Sequence, residues 1–211
     1  MKKIGIILLC ALMCTSAGCG KSSGRAKTPV LPPKVEPFTV EEGVFDVDAV
    51  RSNININGQH FDLPQILSEL EDGWSYKLYN RKDYDLEQGS GLAKLFYNGK
   101  EMGTASLENC YSGEEDKSII YSVSVRNGES DIYGVVPGTS TIEDVEKLLG
   151  KPEEVDKMNE PYKLAYIYGN LNGSDEMGVV RGHSLVVDFD TEGVADFVSV
   201  TYSELTDTEQ K

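Results

Sequence analysis

The chain has 211 residues, which is enough for one or two domains. Its 35 acidic and 20 basic residues give a formal charge of −15. A surface this acidic repels the phosphates of nucleic acids, so we expect no DNA or RNA partner. It would suit a cationic partner, although acidic surfaces more often serve solubility.

The N-terminus has the pattern of a bacterial export signal. Lys2 and Lys3 form a basic start, and an apolar stretch over residues 4–13 follows. That stretch is too short to span a bilayer. We predict that residues 1–18 are a signal peptide, and its removal takes two lysines and no acid, so the charge becomes −17.

Small residues precede a cysteine in Ser16-Ala17-Gly18-Cys19. The chain here resembles bacterial lipoproteins, although Ser16 stands where that family usually has leucine. The resemblance implies that signal peptidase II cuts before Cys19 and that its thiol carries a diacylglycerol. The alternative is an ordinary secretory signal cut near Ala17-Gly18, which leaves Cys19 free.

Residues 19–42 are predicted to be the lipidated cysteine and a disordered tether. The segment is rich in proline and lysine and has little to bury. Roughly eighteen of these residues, from Gly20 to Pro37, at about 3.1 Å each when extended, could hold a folded body up to ~50 Å from a membrane. Residues 205–211 are predicted to be a disordered tail.

One cysteine is left beyond the signal and the anchor. Cys10 and Cys14 lie in the predicted signal peptide, so Cys110 has no partner for an internal disulfide. A catalytic thiol would need a neighbouring base, and we favour a buried free thiol.

The clearest helix signal lies between Thr141 and Gly150. Thr141 can cap the helix start, and Glu143 and Asp144 suit its first turn; Ser140 with Glu143 is the alternative register. The apolar residues share one face, and Gly150 marks the end. They are Ile142, Val145, Leu148 and Leu149.

Residues 43–128 are predicted to be an N-terminal unit. It has hairpin turns at Asn57-Gly58 and Asn98-Gly99, a helix from Pro64 to Gly73, and a strand over Ser118–Arg126. Residues 74–79 are predicted to be extended.

Residues 129–204 are predicted to repeat the plan. A strand at Ile132–Val136 precedes the capped helix, and Gly169–Gly182 is a predicted loop after the strand Lys163–Tyr168. Ser184–Asp190 and Val194–Tyr202 form a predicted hairpin. We therefore expect an α+β fold in which two strand–helix–antiparallel-meander units pack together.

The second unit resembles a known lipoprotein family. Gly138-Thr139, Glu143-Asp144-Val145, Leu149-Gly150 and Pro152, followed by a Val-Asp-Phe-Asp hairpin, are similar to SmpA/OmlA-type domains. Those domains share a fold with beta-lactamase inhibitor protein. The resemblance, over about Ile132–Tyr202, implies protein–protein contacts at an envelope and no catalysis. A peptidase-propeptide-like (PepSY) meander is the alternative fold.

Candidate chemical groups are sparse. Asp188–Gly193 begins like a calcium loop, but Ser199 stands at its twelfth position, and an acidic hairpin turn explains it better. His60 and His183 are the only histidines and fall in different units, so we predict no metal site. Acidic pairs fit a solvated surface better than paired-carboxylate catalysis. They are Glu41-Glu42, Glu114-Glu115-Asp116 and Glu153-Glu154.

Phosphate-loop, dinucleotide and nucleophile-elbow motifs are absent, so we predict no cofactor and no catalytic residue. Aromatic residues are more plentiful, and Tyr and Trp favour interfaces. They are Trp74, Tyr76, Tyr79, Tyr84, Tyr97, Tyr111, Tyr133, Tyr162, Tyr166 and Tyr168.

From these features we predict a palmitate-type lipoprotein on the extracytoplasmic face of the cell membrane. It would act as a non-catalytic binding module of the cell envelope with an unidentified protein partner. The alternatives are an inhibitor or chaperone of an exported enzyme, or a carboxylate-dependent cell-wall hydrolase.

Overall fold

The computed structural model describes residues 25–26, 28–79, 89–158, 163–174 and 180–203. In these ranges two helices, α1 (Val47–Ser52) and α2 (Ile142–Leu149), accompany twelve strands. The first six strands are β1 (Ile54–Ile56), β2 (Gln59–Phe61), β3 (Gln65–Ile66), β4 (Trp74–Leu78), β5 (Gly91–Tyr97) and β6 (Lys100–Glu108). The others are β7 (Ile119–Val125), β8 (Asp131–Ile132), β9 (Glu154–Met158), β10 (Lys163–Ser174), β11 (Val180–Phe189) and β12 (Ala195–Tyr202).

The larger sheet joins both halves of the chain. Its order is β4-β5-β6-β7-β12-β11-β10-β9, and β3 pairs with the start of β7. Each half contributes a four-stranded antiparallel meander, and the last strands of the two meanders pair from Val198–Val125 to Thr201–Ser122. We call this β7–β12 pair the seam, and its backbone hydrogen bonds make the two halves one sheet.

One face of the large sheet forms the hydrophobic core. Six aliphatic side chains of β7, β11 and β12 that point to this face are at most 2% exposed. Each such fully buried side chain contributes roughly 1.5–3 kcal/mol through removal from water. They are Val123, Val125, Leu185, Val187, Val198 and Val200.

A small sheet of order β2-β1-β8 and both helices cover this core face. Phe61 of β2 packs edge-on against Trp74, with 5.1 Å between ring centroids. The Arg51 guanidinium of α1 lies 4.4 Å from the Tyr202 ring centroid. The Tyr168 hydroxyl donates to the Gly150 carbonyl at the end of α2 over 3.0 Å. The molecule therefore has two layers.

The predicted helix between Thr141 and Gly150 is confirmed as α2. The Asp144 backbone N–H donates to Thr141 Oγ1 over 3.2 Å, and the Thr141 N–H donates to Asp144 Oδ2 over 3.0 Å. Asp144 rather than Glu143 is thus the reciprocal partner of the cap. Val145 and Leu149 are buried, as the apolar face predicts.

The predicted α+β fold is wrong, because the structure is mostly β. The helix expected after Pro64 does not form: Gln65 and Ile66 pair with β7, and a single 3₁₀ turn spans Leu67–Glu69. Leu67 is buried all the same. Pairing of this segment with β7 thus buries some of the apolar residues that we assigned to one face of a helix.

Three further elements differ from the sequence prediction. The expected loop Gly169–Gly182 instead continues β10 and β11, which pair as far as Ser174 and Val180. Strand β9 was not predicted. Helix α1 was also not predicted, although the Asp46 carboxylate caps it by accepting from the Asp48 and Ala49 N–H groups.

The segment over residues 28–46, which we call the strap, lies along the body. Its carbonyls at Pro33 and Phe38 accept from Arg51 (3.3 Å) and Asn53 (2.9 Å). Its N–H groups at Val40 and Gly43 donate to the Tyr133 hydroxyl (2.9 Å) and to the Leu148 carbonyl (3.1 Å). Body residues therefore bind the backbone of residues 33–40, within the described part of the predicted tether.

Candidate binding surfaces

The face of the large sheet opposite the core carries a row of side chains across eight strands. Neighbours in the row are register partners, and they alternate along each strand with core residues. We call this surface the open face, because the helices and the small sheet contact the other side. From β4 to β9 the row contains Lys77, Lys94, Thr104, Ser124, Ser199, Val186, Ile167 and Glu154.

A second row lies beside the first across six strands. It is less accessible at its centre, where Ser122 and Thr201 are 6% exposed and Ser184 is fully buried. Together the two rows put seven hydroxyl side chains on β6, β7, β11 and β12. The second row contains Leu92, Ser106, Ser122, Thr201, Ser184 and Gly169.

Hydrogen bonds between these hydroxyl groups cross the seam. Ser124 Oγ donates to Ser199 Oγ over 3.1 Å, and Ser199 Oγ lies 3.3 Å from the Val123 carbonyl oxygen, to which it donates. Thr201 Oγ1 donates to Ser122 Oγ over 3.1 Å. These hydrogen bonds connect side chains of β7 and β12, so they add to the backbone pairing of the seam.

The margins of the open face carry charges of opposite sign. Exposed Lys77 lies on β4 at one edge, and exposed Glu154 and Asp156 lie on β9 at the other. Half-buried aromatic rings lie between these edges: Phe96 on β5, and Phe197 on β12 with the Arg126 guanidinium 4.4 Å from its centroid. The surface thus combines apolar and hydroxyl groups with a charged margin.

A second candidate site is a depression on the small sheet, beside α2. Its volume is about 480 Å³. The strap contributes to one wall and the turn after β8 to another. Six of the described side chains that line it are polar: Thr39, Asn53, Asn55, His60, Asp131 and Tyr133.

Three of those side chains form a cross-strand row. Asn55 on the central strand β1 is opposite His60 on β2 and opposite Asp131 on β8. Neighbouring side chains on one face of such a ladder lie about 4.5–5.5 Å apart at Cβ. The Asn55 side-chain oxygen is buried and has no hydrogen-bond partner among the described residues.

Hydrogen bonds hold the walls of the depression in place. Asp131 Oδ1 accepts from the Gly134 N–H over 3.0 Å, and the Tyr133 N–H donates to the Asn53 carbonyl over 2.7 Å. Tyr133 has a φ of +50°, which is uncommon for a residue other than glycine. Its hydroxyl accepts from the Val40 N–H of the strap. The depression is therefore preorganised.

Cys19, the predicted lipid-attachment residue, lies outside the described residues. Cys110 is fully buried, and burial raises the pKa of its thiol, although a hydrogen bond with Ser118 acts in the opposite direction. A thiol with these properties is little ionised at neutral pH, as expected of a structural residue.

The two histidines occupy different sheets. His60 is exposed at the depression, whereas His183 on β11 stacks on Tyr202 with 4.1 Å between centroids. Within the described ranges, no three His, Cys, Asp or Glu side chains form a group that could hold a metal ion.

The acidic segments take structural or exposed positions. Asp190 Oδ1 accepts from the N–H groups of Glu192 and Val194, so the calcium-like sequence is the turn between β11 and β12. Glu114 binds Lys117 and the Ala26 N–H, and both interactions lower the pKa of its carboxyl. Among the other acids, Glu41, Glu42, Asp116, Glu153 and Glu154 are exposed.

Most of the aromatic residues that we singled out belong to the core side rather than to a recognition face. Tyr133, Tyr166 and Tyr168 are buried, and Trp74 and Tyr97 pack against each other. Tyr84 and Tyr162 lie outside the described residues.

The open face was not predicted from the sequence. Phe96 and Phe197 were not among the predicted interface aromatics, which were tyrosines and one tryptophan. The signal was the alternation Ser-Val-Ser-Val over 122–125 and Val-Ser-Val-Thr over 198–201, which places hydroxyls on one face and valines on the other.

Comparisons with protein-family models, with curated proteins and with solved structures return no match to this chain. The resemblances to bacterial lipoproteins and to SmpA/OmlA-type domains therefore stay predictions. In the described part of the chain, neither helix has the length and hydrophobicity needed to cross a bilayer.

Proposed function

We propose that this protein is a lipid-anchored, extracytoplasmic binding module of the bacterial cell envelope that acts without catalysis. Its partner is a folded protein, and the open face of the large sheet is the surface that binds it. The anchor is Cys19, on the evidence of the basic start, the short apolar stretch and Ser16-Ala17-Gly18-Cys19.

The observation that carries this proposal is the row of exposed and half-buried side chains across eight strands. Eight strands spaced about 4.8 Å apart span roughly 34 Å, and three alternate residues along a strand span roughly 13 Å. The product is roughly 450 Å², so two partners would bury roughly 900 Å² in total. That area is smaller than a standard protein interface and matches a small, transient protein contact.

The side chains of this surface fit the composition of such interfaces. Aromatic anchors such as Phe96 and Phe197 are typical of protein–protein contacts, and an arginine beside an aromatic ring, as Arg126 lies beside Phe197, is also enriched there. A complementary partner would place basic residues opposite Glu154 and Asp156 and an acidic residue opposite Lys77.

The two alternative functions would use different parts of the structure. An inhibitor or chaperone of an exported enzyme would bind that enzyme through the open face, so the identity of the partner separates these roles. A carboxylate-dependent cell-wall hydrolase needs two acids in one cleft. The depression on the small sheet has one carboxylate, Asp131, among the described residues that line it, which favours binding over that chemistry.

Photo-crosslinking in intact cells tests the proposed surface. A photoreactive phenylalanine analogue replaces Phe197 on the open face or, as a control, Glu143 on the exposed side of α2. We expect one reproducible protein adduct from position 197 and none from position 143. Equal labelling from both positions, or no protein adduct from 197, would contradict the proposed surface.

Metabolic labelling with a fatty-acid analogue tests the anchor separately. Cys19→Ala should abolish the label because it removes the only thiol proposed to carry lipid. Cys110→Ala is the matched control and should keep the label, since that thiol is buried. A label that persists in Cys19→Ala would show that the anchor assignment is wrong.

A further inference from the structure

We propose that the depression on the small sheet binds a neutral, polyhydroxylated ligand of the carbohydrate class. The proposal rests on the His60–Asn55–Asp131 row and on the walls around it, and it is independent of a partner on the open face.

The lining groups include both hydrogen-bond donors and acceptors. The Asp131 carboxylate accepts only, whereas the Asn55 amide, the His60 imidazole and the Thr39 hydroxyl can both donate and accept. A ligand hydroxyl group also both donates and accepts hydrogen bonds. An ammonium ion only donates them, and a carboxylate or phosphate only accepts them. A ligand with several hydroxyl groups therefore matches this set best.

The charge of the lining argues against an anion. No lysine or arginine is among the described residues that line the depression, and its one formal charge is that of Asp131. The net charge of −15 adds to the repulsion of anions. A neutral ligand does not meet this penalty.

The size and the unpaired polar atom also suit a sugar. About 480 Å³ falls within the roughly 300–1,000 Å³ of small-molecule sites. The Asn55 oxygen, which lacks a partner among the described residues, would gain one if a rearrangement of the exposed His60 side chain let a ligand hydroxyl reach it. Leaving such an atom unpaired is costly, so its pairing would favour binding.

The test measures binding of glucose, N-acetylglucosamine and chitobiose to the purified full-length chain by saturation-transfer NMR and calorimetry. Sodium glucuronate is the anionic comparator. We expect at least one neutral sugar to bind with a Kd on the order of 1 mM or below, and glucuronate to bind more weakly.

Three variants locate the site. His60→Ala removes an exposed side chain, and Asn55→Leu replaces the amide by an apolar group of similar size; each should weaken sugar binding about tenfold or more. His183→Ala changes the other histidine, on β11, and should leave binding unchanged. Circular dichroism of each variant checks that it is folded.

Three results would overturn the proposal. They are no binding of any of the three sugars at concentrations on the order of 10 mM, tighter binding of glucuronate than of glucose, and an equal loss in His183→Ala and His60→Ala. Because none of these experiments involves Cys19 or the open face, failure here leaves the proposed function standing.

Discussion

At the scale of single residues, glycine decides how closely the strap can approach α2. Gly150 has a φ of +81°, and a Cβ atom built on it would collide with the Gly43 carbonyl oxygen. Two residues earlier, the Leu148 carbonyl accepts from the Gly43 N–H over 3.1 Å. The backbones of the strap and of the end of α2 are therefore so close that no side chain fits at position 150.

A pair of substitutions separates backbone strain from this collision. Gly138 has a φ of +79°, but a Cβ there would meet nothing within 4 Å. We expect Gly138→Ala to lower the free energy of unfolding by roughly 1–2 kcal/mol through left-handed strain alone. Gly150→Ala should cost at least about 1 kcal/mol more, because the strap must also shift.

Urea denaturation followed by the fluorescence of Trp74, the single tryptophan, measures both losses. If the two variants lose the same free energy, the strap does not pack on Gly150 as described.

At the scale of elements, α2 is where local signals and tertiary surroundings agree. Its cap is a reciprocal pair between Thr141 and Asp144, and its apolar face is buried. The segment after Pro64 also has apolar residues at helical spacing, yet β7 offers it a strand to pair with. A helix predicted from the sequence therefore forms where both its capping residues and the packing of its apolar face favour it.

The cap predicts a pH dependence. The hydrogen bond from the Thr141 N–H, followed by that from its hydroxyl, lowers the pKa of the Asp144 carboxyl. A lowered folded-state pKa contributes stability above the unfolded value, near 3.9, and the contribution disappears as pH falls through the lower folded value. Asp144→Asn cannot ionise and lacks this contribution.

We therefore expect wild type to be more stable than Asp144→Asn at neutral pH, and the difference to shrink as the pH falls below about 4. Urea denaturation of both proteins over a pH series provides the measurement. A difference that stays constant from neutral to acidic pH would show that the Asp144 charge does not support the cap.

At the scale of the whole molecule, the seam makes the two meanders one structure. Most buried hydrophobic residues in the described ranges belong to one cluster that runs from Ala49 of α1 to Tyr202 of β12. Four register pairs between β7 and β12 connect the sheet above this core. Neither half can separate without exposing apolar surface and breaking the seam.

We accordingly expect one cooperative unfolding transition. Trp74 fluorescence reports on the first meander, and methyl NMR signals of Val187 report on the second. The two urea midpoints should coincide, because a two-state transition looks the same to every probe. Midpoints that differ beyond experimental error would mean that the halves unfold as separate units.

The sequence alone determined those features that nearby residues control. The hairpin turns at Asn57-Gly58 and Asn98-Gly99 both form, since asparagine and glycine tolerate the positive φ angles found there. Helix α2 and most strands of the two meanders were predicted for the same reason. Capping groups, turn residues and alternation act over a few residues, so they can be recognised without the fold.

Which strands pair with each other depends on the tertiary structure. The seam joins residues more than 70 positions apart, as does the pairing of Asn55 with Asp131 at the depression. The open face and the polar row of the depression both result from such pairings, and so does the replacement of the Pro64 helix by β3. Strand pairing depends on the burial that the whole chain achieves at once, and no local pattern encodes it.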